Sequence, residues 1–251
     1  MKILSLNCQK NFQPGLAEFL QHILSGGEYD ALLLQEASDE VRIQLTHPGY
    51  RLLVATDTVV QKKSMLCIVF KNEIELTIES FQSFSNLRFD PVEGYKHLGF
   101  GILGGKFMHK GKIVCLFSTH LHSGLDAGIR VKEFVYVQER MRELADGAQT
   151  IAGGDFNFGY PWELGRASRM LTSEYEFATT SLGGTLDSRY SELVDHLPNK
   201  VAHALARFGL GVSLRADHFI LDKTSARKSA VHTRILPERV SDHSPIELVI
   251  T

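Results

Sequence analysis

Gly153-Gly154-Asp155-Phe156-Asn157, preceded by the apolar Thr150-Ile151-Ala152, reads as a strand end that delivers a carboxylate and an amide. The two glycines suit a sharp turn and a close approach to another group. Asp155 and Asn157 are two apart, so in an extended segment both side chains point to one side. A carboxylate there can orient or deprotonate a water, and an amide can donate to an oxyanion. Taken alone, the stretch reads more readily as an Asp/Asn-rich turn, because such turns are common. Other polar groups beside apolar runs give it its weight.

Working outward, Ile3-Leu4-Ser5-Leu6 is strand-like and ends at Asn7. Asn11, Gln13 and Pro14 then signal a helix start. Leu16, Phe19, Leu20, Ile23 and Leu24 lie on one helical face, and Gly26-Gly27 closes that helix. Ala31–Leu34 is a short apolar run delivering Gln35-Glu36, and Ser38 caps a short helix. Tyr50–Ala55, Met65–Phe70, Ile74–Phe81 and Gly99–Phe107 make a β-rich stretch. Residues 83–98 read as a surface loop. Ile113–Phe117 is a further buried strand, leading to Ser118-Thr119-His120-Leu121-His122. Asp126 to Ala145 is helical, with Ala127, Val131, Phe134, Val135, Met141 and Leu144 on one side. Pro161 opens a short helix. Ala216–Leu221, Ala230–Ile235 and Ile246–Ile250 read as strands, with Ser241-Asp242-His243-Ser244-Pro245 before the last.

Strands outnumber helices, and the helices are too few for a regular β-α-β alternation. The expected fold is therefore an α+β sandwich with helices packed outside. No linker divides the 251 residues, and candidate catalytic groups run from Asn7 to His243, so one domain spanning 1–251 is expected. The net charge of -2 lacks the basic footprint of a dedicated nucleic-acid binder, although a local patch or metal ions can still neutralise phosphates. Cys8, Cys67 and Cys115 cannot all pair internally, and each borders an apolar run, so buried thiols in a reducing compartment are expected. No apolar stretch approaches membrane-spanning length and the N-terminus lacks a signal-type apolar region. A soluble, monomeric cytoplasmic protein without a membrane anchor is the expectation.

Glu36 is a hard oxygen donor suited to Mg²⁺, and Asp155 and Asp242 add negative charge. Carboxylates converging in a cleft repel, so a bound cation explains them economically. Asp217 is either a strand-edge ion-pair partner or the acceptor that orients His243 and raises its pKa. His218 should face away from Asp217 and is read as structural. His120 and His122 share a face if their strand persists, which leaves a zinc site open.

The order Asn7, Gln35-Glu36, Thr119-His120-Leu121, Gly154-Asp155-Phe156-Asn157, Arg215-Ala216-Asp217 and Ser241-Asp242-His243 resembles the endonuclease/exonuclease/phosphatase superfamily. The resemblance implies a four-layer fold of two facing mixed sheets flanked by helices, with the site at one rim. It also implies Glu36 as the principal Mg²⁺ ligand, with Asn7 and Asp242 beside it and Mn²⁺ as a substitute. Asp155 would position or deprotonate the attacking water, and Asn157 would bind a phosphoryl oxygen. His243, oriented by Asp217, would contact the scissile phosphate, and His120 would add another phosphate contact.

Thr119-His120-Leu121-His122 stands where abasic-site endonucleases of the family carry Tyr-x-Pro-Asn, and this favours the branches with Ser/Thr-His-Leu: phosphodiesterases, deadenylases, sphingomyelinases and phosphatases. The expected activity is Mg²⁺-dependent hydrolysis of a phosphodiester, of nuclease or nucleic-acid end-processing type. The alternatives are a small-molecule or lipid-headgroup phosphodiesterase or phosphatase, and a non-catalytic binding module on the same fold. Phe84, Phe89 and Tyr95 with Arg88 and Lys96, and Arg189 with Tyr190, are candidates for stacking bases and holding a backbone.

Overall fold

The structure, a computed structural model, describes residues 1–9, 15–56, 65–84, 101–122, 127–158, 161–179, 181–187, 213–214 and 216–251. One six-stranded sheet has the order β13-β14-β1-β2-β4-β3 and the other the order β5-β6-β7-β8-β12-β9, with strands numbered along the chain. These strands are β1 (Lys2–Asn7), β2 (Ala31–Ala37), β3 (Tyr50–Thr56), β4 (Met65–Lys71), β5 (Glu75–Ser83), β6 (Gly101–His109), β7 (Lys112–His120), β8 (Gln149–Asp155), β9 (Tyr175–Phe177), β12 (Asp217–Asp222), β13 (Val231–Ile235) and β14 (Ile246–Ile250), while β10 (Leu186–Asp187) and β11 (Ser213–Leu214) pair with each other. β1 runs parallel to β2 and β7 parallel to β8, while the other printed pairings are antiparallel, so both sheets are mixed.

Alternation along the strands explains the layers. Ala31 and Leu33 face the core between the sheets, while Leu32 and Leu34 face outward onto helix α1 (Leu16–Gly26) and helix α2 (Asp39–Gln44). In the second sheet Val114 and Leu116 point to the shared core, while Cys115 and Phe117 face helix α3 (Ala127–Ala145) and helix α4 (Pro161–Met170). Both faces of each sheet are covered, so the central strands are apolar throughout and read as continuous runs rather than alternating ones. Each fully buried aliphatic or aromatic side chain contributes about 1.5–3 kcal/mol. Three apolar layers separate four layers of backbone, and this is the expected α+β sandwich.

Gly27 ends α1 in the left-handed conformation, and Ser38 caps α2 by accepting the Val41 N–H, both as expected. Some expectations need correction. Val135 is 39% exposed, whereas the inward face of α3 carries Arg130, Glu133 and Gln138 beside Phe134, Val137 and Met141. Apolar periodicity misses such a face because its polar members are buried in pairs. Phe84 is fully buried against the outer face of the second sheet, edge-on to Tyr136, so it is not a base-stacking loop residue. The expected helix start at 11–14, the remaining aromatic and basic loop candidates (Arg88, Phe89, Tyr95, Lys96, Arg189, Tyr190) and most of 181–212 lie outside the described residues. The sequence reading missed β9 and the short helix α5 (Lys223–Lys228). All three cysteines are buried and free, and burial pushes the Cys67 thiol up to about 12. None of the described helices is long and apolar enough to cross a membrane.

Candidate active site

Parallel pairing brings the C-terminal ends of β1 and β2, and of β7 and β8, to one rim. Antiparallel pairing brings the starts of β12 and β14 to the same rim. Asn7 is paired with Gln35, His120 with Asp155, and Asp217 with Asp155 across the ladders. The sandwich then closes the distance between sheets. Asn7 Nδ2 of the first sheet donates to Asp155 Oδ2 of the second at 2.9 Å and lies 3.3 Å from Glu36 Oε1. His120 Nε2 sits 3.6 Å from Asp155 Oδ2 and 3.7 Å from Glu36 Oε1. His243 Nε2 lies 3.7 Å from Asp155 Oδ2, and its Nδ1 bonds Asp217 Oδ2 at 2.7 Å. Asp242 stands beside His243, with its Oδ1 accepting the Ser241 hydroxyl at 3.1 Å.

Glu36 reaches this cluster through a backbone irregularity. The β2–β4 register shifts between Leu34 and Ala37, and Glu36 has φ 51°. A bulge re-aims a side chain, and a left-handed non-glycine residue costs about 1–3 kcal/mol of strain. Gln35 is anchored at the same place: its Nε2 donates to Ser118 Oγ at 2.9 Å, and Ser118 Oγ donates to the Leu34 carbonyl at 3.0 Å. This bridge crosses from one sheet to the other directly beneath the rim.

The central stretch departs from the extended geometry expected for it. β8 ends at Asp155, and Asn157 has φ 53°, so the two side chains do not share a strand face. Instead the Asn157 N–H donates to Asp155 Oδ1 at 3.0 Å, an Asx-type turn. Asn157 Nδ2 donates to the Leu121 carbonyl at 3.0 Å. The glycines sit within β8 rather than in a turn, and close approach is their whole role. A Cβ on Gly153 would meet Phe219 and Leu33, and one on Gly154 would meet the Thr119 backbone.

Burial raises the Asp155 carboxyl to about 6; the His243 and His120 charges and the Asn7 amide oppose the rise, and the Asp217 charge adds to it. Burial alone would lower His243, but the charges of Asp217 and Asp155, with the Asp217 hydrogen bond and Asp242, outweigh it and hold the imidazole well above its usual range. Burial also raises Asp242, against His243 and the Ser241 hydroxyl, with Glu36 and Asp217 adding to the rise. A cationic imidazole held by a carboxylate thus stands beside a carboxylate that costs energy to ionise. Such a pairing can hold a water against one oxygen and offer an N–H to a developing negative charge.

Asp155, Asp217 and His243 offer ligand-type atoms within 4.8 Å of one another, and no other such group of three or more His, Cys, Asp or Glu occurs among the described residues. His243 and Asp217 are spent on each other. Glu36 and Asp242 add hard carboxylate oxygens, the donor type that suits a divalent cation. His120 and His122 do not gather a third ligand among the described residues. The strand ends at His120, and the His122 N–H turns to Glu133 Oε2 at 2.6 Å. His218 is buried with Nδ1 2.9 Å from the Thr179 hydroxyl, in the structural role expected for it.

Three supports were not visible as sequence signals. Ser118 carries the bridge just described. Thr185 Oγ1 accepts the N–H groups of Ala216 and Asp217, and its carbonyl accepts the Ser244 N–H, so one residue aligns both members of the Asp217–His243 pair. Glu133 of α3 holds the turn whose Leu121 carbonyl receives Asn157. No short pattern marks any of them, because each acts through a partner remote in sequence.

Glu133 also gives a stability prediction. Its Oε1 has no hydrogen-bond partner among the described residues, and burial pushes the carboxyl from its ordinary 4.5 up to about 8, against the His122 N–H and Arg130. A raised acid contributes stability fully below the unfolded value and loses it as pH rises through the folded one. Wild-type resistance to urea should therefore fall between pH 4.5 and 8 in part because of Glu133. Glu133→Gln keeps the acceptor and removes the ionisation, so its urea midpoint should fall less across that window. Parallel declines in the two proteins would refute the assignment.

No known family model matches the sequence, and no curated protein does. Solved structures do resemble it. TDP2 of D. rerio, complexed with a single-strand DNA product, is 17% identical with a TM-score of 0.75 over 100% of this chain and 98% of that one. A mannosyl-6-phosphatase of Bacteroides thetaiotaomicron is 16% identical, with a TM-score of 0.71 over 100% and 99% of the two chains. An endonuclease/exonuclease/phosphatase protein of Bacteroides vulgatus is 14% identical, with a TM-score of 0.71 over 100% and 98%. The fold is the one shared by these proteins, as the order of motifs implied.

Proposed function

We propose that this chain is a single-domain, monomeric, Mg²⁺-dependent phosphohydrolase that cleaves a phosphodiester by in-line attack of water, in nucleic-acid processing. The observation that carries this reading is the meeting of Asp155 with Asn7, His120 and His243 at one rim, with Glu36 against the same Asn7 and His120. Glu36 and Asp242, with Asn7 beside them, would hold Mg²⁺ or Mn²⁺, which when bound supplies Lewis-acid polarisation of a phosphoryl oxygen. Asp155 orients the attacking water and takes its proton. His243, kept cationic by Asp217, donates Nε2–H to a phosphoryl oxygen as charge develops there. His120, whose Nε2 lies 3.6 Å from the same Asp155 oxygen, adds a second contact. Asn157 spends one amide hydrogen on Leu121 and has a second for a non-bridging oxygen. The left-handed turn at Asn157 and the bulge at Glu36 are the strained positions expected where geometry serves chemistry. Three buried free thiols accord with a reducing, cytoplasmic setting.

The neighbour solved with a single-strand DNA product supports nucleic acid as substrate. A similar likeness to a mannosyl-6-phosphatase supports a second reading, a phosphatase acting on a small phosphorylated molecule. Cleavage in Mg²⁺ of labelled single-stranded DNA, of a small non-nucleotide diester and of a sugar phosphate separates the two, with Asp155→Ala as blank. DNA cleavage is expected. Release of phosphate from the sugar phosphate alone would transfer the assignment to the second reading, and silence on all three would sink both.

Metal dependence has its own test. Glu36→Gln should raise the Mg²⁺ concentration needed for half-maximal rate by at least about 10-fold, since loss of even an outer-shell partner costs about 10–100-fold in metal affinity. Mn²⁺ binding followed by calorimetry should weaken in step. An unchanged titration in both assays would remove Glu36 from the ligand set.

A further inference from the structure

A second concavity lies at the opposite rim of the second sheet. It has a volume of about 670 Å³ and is walled by the end of α3, the first residues of β8, the approach to β9 and helix α5. β8 runs from Gln149 at this cavity to Asp155 at the candidate active site, so about six residue steps of 3.3 Å, roughly 20 Å, separate them.

Its charge is lopsided. Arg142, Lys223, Arg227 and Lys228 line it, against the carboxylates of Glu174 and Asp222. Both carboxylates are already engaged. Glu174 accepts from Arg142 Nε at 2.9 Å. Asp222 accepts the Thr150 N–H at 2.8 Å and the Ser225 N–H at 2.7 Å, one on each oxygen. No ion pair to a described residue engages Lys223, Arg227 or Lys228. The active-site rim has the opposite character, with Glu36, Asp155, Asp217 and Asp242 gathered there. The two rims therefore carry charge of opposite sign.

We propose that this cavity is an accessory binding site for a small polyphosphorylated ligand of nucleotide size. The volume lies within the range of small-molecule sites, about 300–1,000 Å³. Arginine offers a planar fork and lysine a compact charge to phosphate oxygens, and the cations of the lining outnumber its carboxylates four to two. The proposal is independent of the chemistry assigned to the other rim.

The test is calorimetric titration of the full chain with ADP at low salt without added divalent ion. Saturable one-to-one binding that weakens as salt rises is expected. The triple variant Lys223→Ala, Arg227→Ala, Lys228→Ala should weaken it at least about tenfold, since each charge of the lining contributes to an anion site. Ser173→Trp, at an exposed lining position, should do the same by filling the cavity with no change of charge. It carries the test by itself if the triple variant folds poorly. Asp155→Ala should bind ADP as wild type does. Absence of saturable binding by the wild type would overturn the proposal. So would binding that survives Ser173→Trp, which would make it diffuse charge, or binding lost in Asp155→Ala, which would place ADP at the other rim.

Discussion

Asp155→Ala is expected to lower turnover by roughly 10³-fold, within the 10²–10⁴ range for a positioned proton-transfer group, while the sandwich stays folded. The two halves of that expectation have the same origin. Asp155 is 2% exposed and its carboxyl is raised to about 6 by burial, so keeping it ionised near neutral pH costs stability. A folded-state value above the ordinary 3.8 means that stability is present at low pH and lost as pH rises towards 6. Removing the carboxyl relieves that cost. Its neighbours keep other partners: the Asn7 amide keeps Glu36, His243 keeps Asp217, and the Asn157 N–H lies at a partly exposed turn. The melting temperature of Asp155→Ala near neutral pH should therefore equal or exceed that of the wild type. His243→Ala makes an informative contrast. It should also abolish most activity, but it leaves Asp217 buried without its partner at 2.7 Å, and breaking one side of a buried pair is destabilising by about 3–5 kcal/mol. Rates and melts of the two variants, side by side, check both statements. A folded Asp155→Ala protein with near-normal turnover would end the proposed mechanism.

Gly154→Ala should be the most destabilising single methyl in the chain's central strands. A Cβ built there would lie 2.0 Å from the Thr119 carbonyl oxygen, 2.9 Å from its carbon and 3.0 Å from its nitrogen. These are backbone atoms of the neighbouring strand, so no side-chain rotation relieves the clash. β7 and β8 would have to separate at the residues that precede His120 and Asp155. Overpacking costs about 1–3 kcal/mol where side chains can yield, and more is expected where they cannot. The urea midpoint should drop accordingly, and turnover should fall even in molecules that remain folded, because the two catalytic candidates would move apart. Gly26→Ala is the matched control. Gly26 closes the last turn of α1, and nothing lies within 4 Å of its added Cβ. There alanine should be neutral or stabilising by up to about 1 kcal/mol, through helix propensity and a less flexible unfolded chain. Equal midpoints for the two glycine variants would show that strand spacing at Thr119 is more yielding than the geometry implies.

Much of this was legible in the chain itself, for local reasons. The runs at Ala31–Leu34 and Ile113–Phe117 are apolar on every residue, and that pattern belongs to strands covered on both faces. Each carries its polar residue at the end of the run. The glycine pair before Asp155 announced a close approach, and Ser38 announced a cap. Other features were illegible for equally physical reasons. The inward face of α3 holds Arg130 and Glu133, and Arg130 is stabilised there by Glu163, thirty-three positions away. Phe84 looked like a loop aromatic because burial depends on what is packed above it. Thr185 looked like any threonine, since its partners at 216, 217 and 244 are brought to it only by folding.

Residue types and their order determined the sandwich and which polar groups stand at the strand ends, because strand period and end position follow from local pattern. Tertiary structure alone decided how those groups act together. It turned Glu36 through a bulge, bent Asn157 back onto Leu121, and drew Asn7 to within 2.9 Å of Asp155 from the other sheet. It also decided the protonation states, since a carboxyl near 6 and a cationic imidazole are products of burial and of charges separated by many residues. Desolvation and Coulomb interaction depend on distance in space, and that distance exists only once the two sheets have closed.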